Sequence, residues 1–215
     1  DSITTAAPYH SDAVKVLVIA SDILDAEYLE YSAQYDVHVI TYDPMTSSLD
    51  DIVTKIEEAL HDEKADALAF ATHGSGGLFS LTSDVSVSLQ SLQDDTSLQN
   101  FWSSVASNMH EDGRIDLLAC SLTSNNDGLM VVDALEAMTS RTVAASDDLT
   151  GNPLSGGDWY LETEAINADI FYFSANLLSQ WQGSLEDNVA PAISGLSSSI
   201  TDEESSTVFS GSSSA

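Results

Sequence analysis

Short apolar runs that alternate with segments of helical periodicity restrict the folds open to this chain. The runs lie at residues 14–21, 36–43, 65–72, 114–119 and 141–147. Most of them are continuous apolar stretches, which is typical of strands buried on both faces of a parallel sheet. Strands separated by helices pair in parallel, because the chain must cross over the sheet between them. The sequence therefore predicts an α/β fold with a mostly parallel central sheet, flanked by helices on both faces.

Helical periodicity is clearest between the second and third runs. Apolar side chains spaced i, i+3, i+4 and i+7 fall on one face of a helix over residues 48–62, and Ser48 can cap its first turn. The residues on this face are Leu49, Ile52, Val53, Ile56, Ala59 and Leu60. Related patterns predict helices over 97–109 and 126–140, and residues 77–90 alternate in polarity like a short hairpin.

Length and composition predict one domain followed by a tail. A chain of 215 residues with 43 % apolar content can bury one sizeable core. From about residue 184 the composition becomes rich in Ser and poor in large apolar residues, which is typical of a linker. We therefore expect an N-terminal extension over 1–13, an α/β domain over 14–183 and a Ser-rich acidic linker over 184–215.

The charge balance restricts the partners of the chain. There are 35 Asp and Glu residues against 5 Lys and Arg, which gives a formal net charge of −30. Such a surface repels phosphate backbones and anionic lipid head groups, so neither nucleic acid nor a membrane surface is an expected partner. No apolar run approaches the length of a membrane span, so no membrane insertion is expected. Calcium stays open as a ligand, although the sequence has no D-x-D-x-D-G loop.

Two of the apolar runs end on residues that can carry out chemistry. His73 and Gly74 follow the run 65–72, and Cys120, the only cysteine, follows the run 114–119. Reacting groups collect at the carboxyl ends of parallel strands, so the imidazole and the thiol would meet if these strands are neighbours. A thiol beside a histidine is the minimum set for nucleophilic catalysis by cysteine. Gly74 leaves room for a carbonyl group near its N–H, and this N–H with that of Cys120 would form an oxyanion hole.

Each of these residues also has a purely structural interpretation. A cysteine at the end of a buried strand is usually an inert packed thiol, and a lone histidine is more often a hydrogen-bonded structural residue. The matching positions of His73 and Cys120 favour the chemical interpretation, which also predicts that the pKa of Cys120 is lowered below its ordinary value of ~8.5. His10, His38, His61 and His110 lack ligand-like spacing to Cys120, so no zinc site is expected.

The motifs around these residues carry a resemblance to known families. "THGSGG" (72–77) and "LLACSLTSNNDG" (117–128) resemble the His-Gly and Ala-Cys blocks of caspase-like cysteine peptidases. Over residues 14–183 the chain is similar, more closely, to DUF4347, a family of domains near the N-termini of giant bacterial surface adhesins. The tail "NVAPAISGL" (188–196) resembles the start of a cadherin-like or immunoglobulin-like repeat. The resemblance implies a caspase-like sandwich at an extracellular or cell-surface location, as the N-terminal part of a larger secreted bacterial protein.

The resemblance also implies roles for individual residues. His73 is expected as the general base or acid, Cys120 as the nucleophile, and Gly74 with Cys120 as the oxyanion hole. Asp147 or Asp148 is expected to line the pocket for the side chain before the scissile bond, where a carboxylate would favour a basic side chain. In a chain this acidic, the structural alternative is that both are solvated surface charges. Such a peptidase requires no cofactor.

Two functions from different classes follow from these observations. The first is a cysteine endopeptidase with a His-Cys dyad, whose substrate is a peptide or protein, its own parent chain being one candidate. The second is a catalytically silent N-terminal module of a large adhesin, in which the same fold serves as a cap or interaction domain.

Overall fold

A parallel sheet forms the centre of the computed structural model, which describes residues 13–186. The strands are β1 (Lys15–Ala20), β2 (Val37–Tyr42), β3 (Ala65–Ala71), β4 (Gly74–Ser75), β5 (Leu78–Thr82), β6 (Val85–Ser88), β7 (Met109–Leu118), β8 (Thr142–Ala145), β9 (Tyr160–Leu161) and β10 (Ile166–Asn167). The helices are α1 (Ala26–Ser32), α2 (Leu49–Leu60), α3 (Leu89–Asp94), α4 (Thr96–Ser107), α5 (Asn126–Thr139), α6 (Ala168–Tyr172) and α7 (Ala175–Leu178). A short 3-10 helix spans Pro153–Ser155.

The central sheet has five strands in the order β2-β1-β3-β7-β8, and all of its pairs are parallel. β1 is buried along its whole length and β3 along nearly all of it, which explains why these strands are continuous apolar runs. The apolar run predicted that this strand begins at residue 114, whereas β7 begins at Met109. Residues 110–112 are polar and exposed, whereas Met109 is buried and pairs with Ala65 of β3.

Helices cover both faces of the sheet, as the sequence predicts. α4 packs against α2 and α5, whereas α7 packs against α1 and α6. Right-handed crossovers explain this division, because the first connection runs from β1 to β2 and the later connections run across the sheet in the opposite direction. The predicted α/β fold with a parallel sheet between helices is confirmed, and it fits a caspase-like sandwich.

α2 begins where the sequence predicts. The Ser48 hydroxyl accepts a hydrogen bond from the Asp51 N–H at 3.2 Å, and the Asp51 carboxylate accepts one from the Ser48 N–H at 2.8 Å. This reciprocal pair satisfies two backbone groups that the first helical turn would leave unpaired. Ile52 and Ile56 are fully buried on the predicted apolar face.

A small antiparallel sheet follows directly after β3. Its strand order is β4-β5-β6, so the hairpin expected over 77–90 is confirmed and gains β4 as a further strand. Phe79 of this sheet packs edge-on against Trp102 of α4, with ring centroids 6.1 Å apart. This contact fixes the small sheet against the domain and holds the chain that leaves β3.

The chain after β8 contains short elements that periodicity did not predict, namely β9, β10, α6 and α7. They are too short for a repeating apolar pattern, and aromatic packing holds them in place instead. The Trp159 ring lies 5.1 Å from the Phe173 ring and 5.6 Å from the Trp181 ring, centroid to centroid. All three side chains are buried.

A buried polar network joins α6 to the central sheet. The Asp116 carboxylate on β7 accepts hydrogen bonds from Nε and Nη2 of Arg114, at 2.5 and 2.8 Å, and from the Tyr172 hydroxyl at 2.5 Å. Asp116 and Tyr172 are fully buried. Burial and the charge of Asp116 raise the pKa of Tyr172 well above its ordinary value.

The predicted end segments fall mostly outside the described residues. Of the expected N-terminal extension 1–13, only residue 13 is described. Of the expected linker 184–215, residues 184–186 are described, and they pack against the domain through backbone hydrogen bonds. Within residues 13–186, no helix combines the length and the apolar character that crossing a membrane requires.

Candidate active site

His73 and Cys120 leave the central sheet at the same level. β3 and β7 are neighbours, with Ala71 paired to Leu118, and the Thr72 N–H donates to the Leu118 carbonyl at 3.1 Å. His73 follows Ala71 by the same number of residues as Cys120 follows Leu118. The structure therefore brings the two residues together at the carboxyl edge of the sheet, where reacting groups of parallel sheets collect.

Gly74 packs against the backbone that carries Cys120. A Cβ atom added to Gly74 would lie 2.7 Å from the Ala119 Cβ and 3.1 Å from the Cys120 nitrogen. The first distance is shorter than real side-chain contacts, so only glycine fits without a shift of the chain. The Gly74 backbone therefore packs directly against the backbone of Cys120, whose N–H is the second donor expected for an oxyanion hole.

Cys120 is buried in this structure. Only 1 % of its surface is exposed, and Sγ donates to the Thr150 carbonyl at 3.3 Å. Burial raises the pKa of the thiol to about 12, with smaller increases from the charges of Glu186 and Asp148 and opposing effects of hydrogen bonds with the Thr150 and Leu185 backbone. This is the opposite of the lowered pKa expected from the sequence, because the end of the described chain covers the thiol.

The raised pKa predicts slow alkylation of Cys120 in the folded chain. With a pKa of about 12, the reaction with iodoacetamide should keep accelerating about tenfold per pH unit from pH 7 to pH 10, because only the thiolate reacts. The rate would be measured from the mass of the intact chain, with the urea-unfolded chain as control. A midpoint at or below ~8.5 in the folded chain would contradict the closed geometry.

His73 lies between Asp22 and the end of the described chain. Its Nδ1 atom is 3.0 Å from the Glu186 carbonyl oxygen, and its Nε2 atom is 3.8 Å from Oδ1 of Asp22. Asp22 follows β1, the strand next to β3, so three neighbouring strand ends supply Asp22, His73 and Cys120. Sequence reasoning missed Asp22, although its place directly after an apolar strand was the available signal.

The last described residues, 181–186, lie across this edge of the sheet. The Leu185 N–H donates to the Thr150 carbonyl at 2.9 Å, and the Leu185 carbonyl accepts from the Gly74 N–H at 3.1 Å. Two residues before Leu185, the Gly183 carbonyl accepts a hydrogen bond from the Asn152 N–H at 3.0 Å. The Leu185 carbonyl therefore already accepts the hydrogen bond of Gly74, one of the two expected oxyanion donors.

Comparison with known protein families confirms the expected similarity to DUF4347. Residues 16–185 match a family described as a domain of unknown function, DUF4347. The chain belongs to the DUF4347 family. No curated protein matches it.

Asp147 and Asp148 lie on the surface of the DUF4347 domain, after β8. The Asp148 backbone carbonyl accepts a hydrogen bond from the Ser121 N–H at 2.5 Å, which ties this loop to the residue after Cys120. Partial burial and the charges of Asp158 and Asp147 raise the pKa of the Asp148 carboxyl. Both side chains are exposed, so they lie at the rim of the site.

Asp147, Asp148 and Glu162 form the group with spacing suited to a metal ion among residues 13–186. One carboxylate oxygen from each residue lies within 4.8 Å of the others. The Glu162 carboxylate also accepts a hydrogen bond from the Asp147 N–H at 2.9 Å, so this local contact already draws the residues together. The chemistry of the group suits calcium, which prefers carboxylate oxygens.

A cavity of about 110 Å³ borders the other side of His73. Its lining residues are Asp22, Pro44, Thr72, His73, Ser80, Leu81, Thr82 and Ser83. A larger cavity, between the start of α2 and the β5–β6 turn, is lined by neither His73 nor Cys120. The small cavity thus adjoins the candidate site of the DUF4347 domain, and the larger one lies next to it, since Pro44, Thr82 and Ser83 line both.

Proposed function

We propose that this DUF4347 domain is a cysteine endopeptidase in which Cys120 is the nucleophile and His73 transfers the proton. The observation that carries the proposal is the hydrogen bond of 3.1 Å from the Gly74 N–H to a backbone carbonyl, that of Leu185, beside Cys120. A peptidase must hold the carbonyl that it attacks in this manner. The His-Gly and Cys motifs at adjacent strand ends also support a relationship to caspase-like peptidases.

The reaction proceeds through a thioester. Sγ of Cys120 forms a bond to the substrate carbonyl carbon, and its proton passes to His73. The N–H groups of Gly74 and Cys120 stabilise the oxygen as it gains negative charge. The carbon–nitrogen bond then breaks, and His73 gives its proton to the leaving nitrogen. Water hydrolyses the thioester, which restores the thiol and leaves a new carboxylate.

The carboxylate of Asp22 has a positioning role in this scheme. It lies 3.8 Å from Nε2 of His73, on the side of the ring away from Glu186. A carboxylate at this distance can hold the orientation of the imidazole ring, which keeps Nδ1 directed toward the segment that ends at Glu186. No cofactor takes part in this reaction, and calcium at Asp147, Asp148 and Glu162 enters as a condition to test.

The biological setting belongs to the same proposal. The similarity of residues 14–183 to domains of giant bacterial surface adhesins supports a place near the N-terminus of such a protein, at the cell surface or outside the cell. The substrate would be a peptide or protein, with the parent adhesin as one candidate. The expected preference for a basic side chain rests on Asp147 and Asp148, whose exposed carboxylates lie at the rim of the site.

A second candidate function is a catalytically silent adhesin module. The burial of Cys120 and the raised pKa of its thiol favour this alternative, since a protonated, covered thiol is a poor nucleophile. The same fold would then act as a cap or interaction domain.

Digestion of a diverse peptide mixture tests the proposed activity. The purified chain and its Cys120→Ala variant would each be incubated with the mixture, with and without calcium, and the products read by mass spectrometry. We expect new peptides with a common residue before the cut in the wild-type digest only. Identical digests from the two proteins, both folded by circular dichroism and tested in both conditions, would favour the silent module.

A further inference from the structure

We infer that the Leu185–Glu186 peptide bond is the site at which this domain cleaves its own chain. The inference rests on the proposed peptidase activity and adds the substrate and its preferred residue. Residues 183–186 cross the candidate active site and bind it through the backbone. The following contacts place the Leu185–Glu186 peptide bond at the reacting groups.

The segment lies antiparallel to the loop that follows Asp148. Gly151 forms an antiparallel bridge with Ser184, flanked by the hydrogen bonds from Asn152 N–H to Gly183 and from Leu185 N–H to Thr150, of 3.0 and 2.9 Å. Addition of an extended peptide to an exposed edge is a common mode of peptide recognition, because backbone hydrogen bonds give affinity for any sequence. Residues 183–185 are therefore held as a bound peptide substrate would be.

The positions of the Leu185 and Glu186 carbonyl groups indicate which peptide bond is cleaved. The Leu185 carbonyl accepts from the Gly74 N–H at 3.1 Å, so its carbon is the one presented for attack. The next residue, Glu186, carries the nitrogen that would leave, and its carbonyl oxygen lies 3.0 Å from Nδ1 of His73. The proton-transferring group is therefore on the leaving-group side of the Leu185–Glu186 bond, as cleavage requires.

Side-chain burial indicates a preference for leucine. The Leu185 side chain is fully buried and belongs to the hydrophobic core, whereas its neighbour Ser184 is half-buried and its neighbour Glu186 is exposed. A buried apolar site accepts leucine and rejects a charged side chain, because removing a charge from water without a partner is costly. Asp147 and Asp148 predict a basic side chain at the same position instead. The identity of the residue before the cut distinguishes a preference for leucine from a preference for a basic side chain.

Small residues make room for this binding mode. A Cβ atom added to Gly151 would lie 2.7 Å from the Ser184 Cα and 2.8 Å from the Gly183 carbonyl oxygen. Upstream, Trp181 anchors the segment, since its ring is buried and its Nε1–H donates to the Leu24 carbonyl at 2.7 Å. A segment anchored in this way is presented to Cys120 of the same chain, so cleavage is intramolecular.

Self-cleavage proceeds by attack of the Cys120 thiol on the Leu185 carbonyl carbon, followed by hydrolysis of a thioester. Sγ of Cys120 passes its proton to His73 and bonds to the Leu185 carbonyl carbon, the bond from this carbon to the Glu186 nitrogen breaks, and His73 gives that proton to the new amine. Water then hydrolyses the thioester between Cys120 and Leu185. The products are a chain that ends with the Leu185 carboxylate and a fragment that begins with the Glu186 amine.

The mass of the intact chain over time tests the inference. The 215-residue chain and Cys120→Ala would be incubated at several protein concentrations. We expect products that end at Leu185 and begin at Glu186, with a first-order rate independent of concentration, and none from Cys120→Ala. Leu185→Met should cleave at nearly the wild-type rate, and Leu185→Asp about a hundredfold more slowly.

A second variant covers the case in which Leu185→Asp fails to fold. Glu186 is exposed, so Glu186→Pro should fold normally, yet the proline ring removes the N–H and restricts the Leu185 backbone, which should block cleavage. Glu186→Gln is its matched comparison, because it keeps the backbone N–H and the freedom of the Leu185 backbone, and it should still be cut between residues 185 and 186. Cleavage at another bond, or undiminished cleavage of Glu186→Pro, would overturn the inference.

The outcomes also separate this inference from the proposed activity. If the wild-type chain digests the peptide mixture but leaves Leu185–Glu186 intact, the peptidase stands and the self-cleavage site is wrong. If it cuts neither the mixture nor itself, with the chain folded, both are wrong. Cleavage of the mixture after basic residues, with no cut after Leu185, would support the Asp147 and Asp148 expectation instead.

Discussion

Replacement of Gly74 by alanine is expected to slow peptide-bond cleavage about a hundredfold or more, as loss of one oxyanion donor does in other acyl-transfer enzymes. The new Cβ would lie 2.7 Å from the Ala119 Cβ and 3.1 Å from the Cys120 nitrogen, so the backbone must shift at the point where both donors meet. That shift moves the Gly74 N–H from its position 3.1 Å from the Leu185 carbonyl. The rate of appearance of chains ending at Leu185, measured by mass spectrometry, would show the effect.

Ser75→Ala is the matched control for Gly74→Ala. It removes a polar atom from the next residue of β4 without adding volume, and we expect cleavage within about threefold of wild type, since it touches no donor of the site. Thermal unfolding of both variants would separate an effect on the site from an effect on the fold. A folded Gly74→Ala variant that cleaves at the wild-type rate would exclude the Gly74 N–H from the oxyanion hole.

Asp116→Ala is expected to lower the free energy of unfolding by about 3–5 kcal/mol, the range seen when one partner of a buried ion pair is removed. The Asp116 carboxylate is fully buried and accepts hydrogen bonds from Arg114 at 2.5 and 2.8 Å and from Tyr172 at 2.5 Å. Alanine would remove these acceptors and leave the guanidinium and hydroxyl without their shared partner in the interior. Urea unfolding monitored by circular dichroism would measure the change.

The exposed Asp112 on the same strand provides the control for Asp116. Asp112→Ala should change the free energy of unfolding by less than about 0.5 kcal/mol, because an exposed side chain loses no buried partner. Equal effects of the two substitutions would show that the buried network does not contribute specifically to stability. The network also ties α6 to β7, the strand that leads to Cys120, so its loss is expected to loosen both.

Local sequence patterns were sufficient to predict the parallel strands of the central sheet and the start of α2. Continuous apolar runs predicted the parallel strands, and Ser48 and the apolar face after it predicted α2, because backbone capping and amphipathic burial depend on residues close in sequence. The meeting of His73 and Cys120 needed one further step, the assumption that their strands are neighbours. The pairing of Ala71 with Leu118 bears out that assumption.

The burial of the candidate active site depends on contacts between residues far apart in sequence, which local sequence patterns do not predict. His73 meets Glu186 across 113 positions of sequence, and Tyr172 meets Asp116 across 56. Composition predicted a linker over residues 184–186, because Leu185 is a single apolar residue in a mostly polar segment, yet backbone hydrogen bonds hold these residues in the site. Backbone groups are the same in every residue, so their pairing leaves little trace in the sequence.

The sequence by itself determined the five strands of the central sheet, the α/β class and the presence of a histidine and a cysteine at strand ends. Only the tertiary structure decided that Asp22 faces His73, that Leu185 and Glu186 lie over Cys120, and that the thiol pKa is raised. The physical reason is that periodicity and capping act between near neighbours. Desolvation of a thiol depends instead on which distant segment the completed fold places over it.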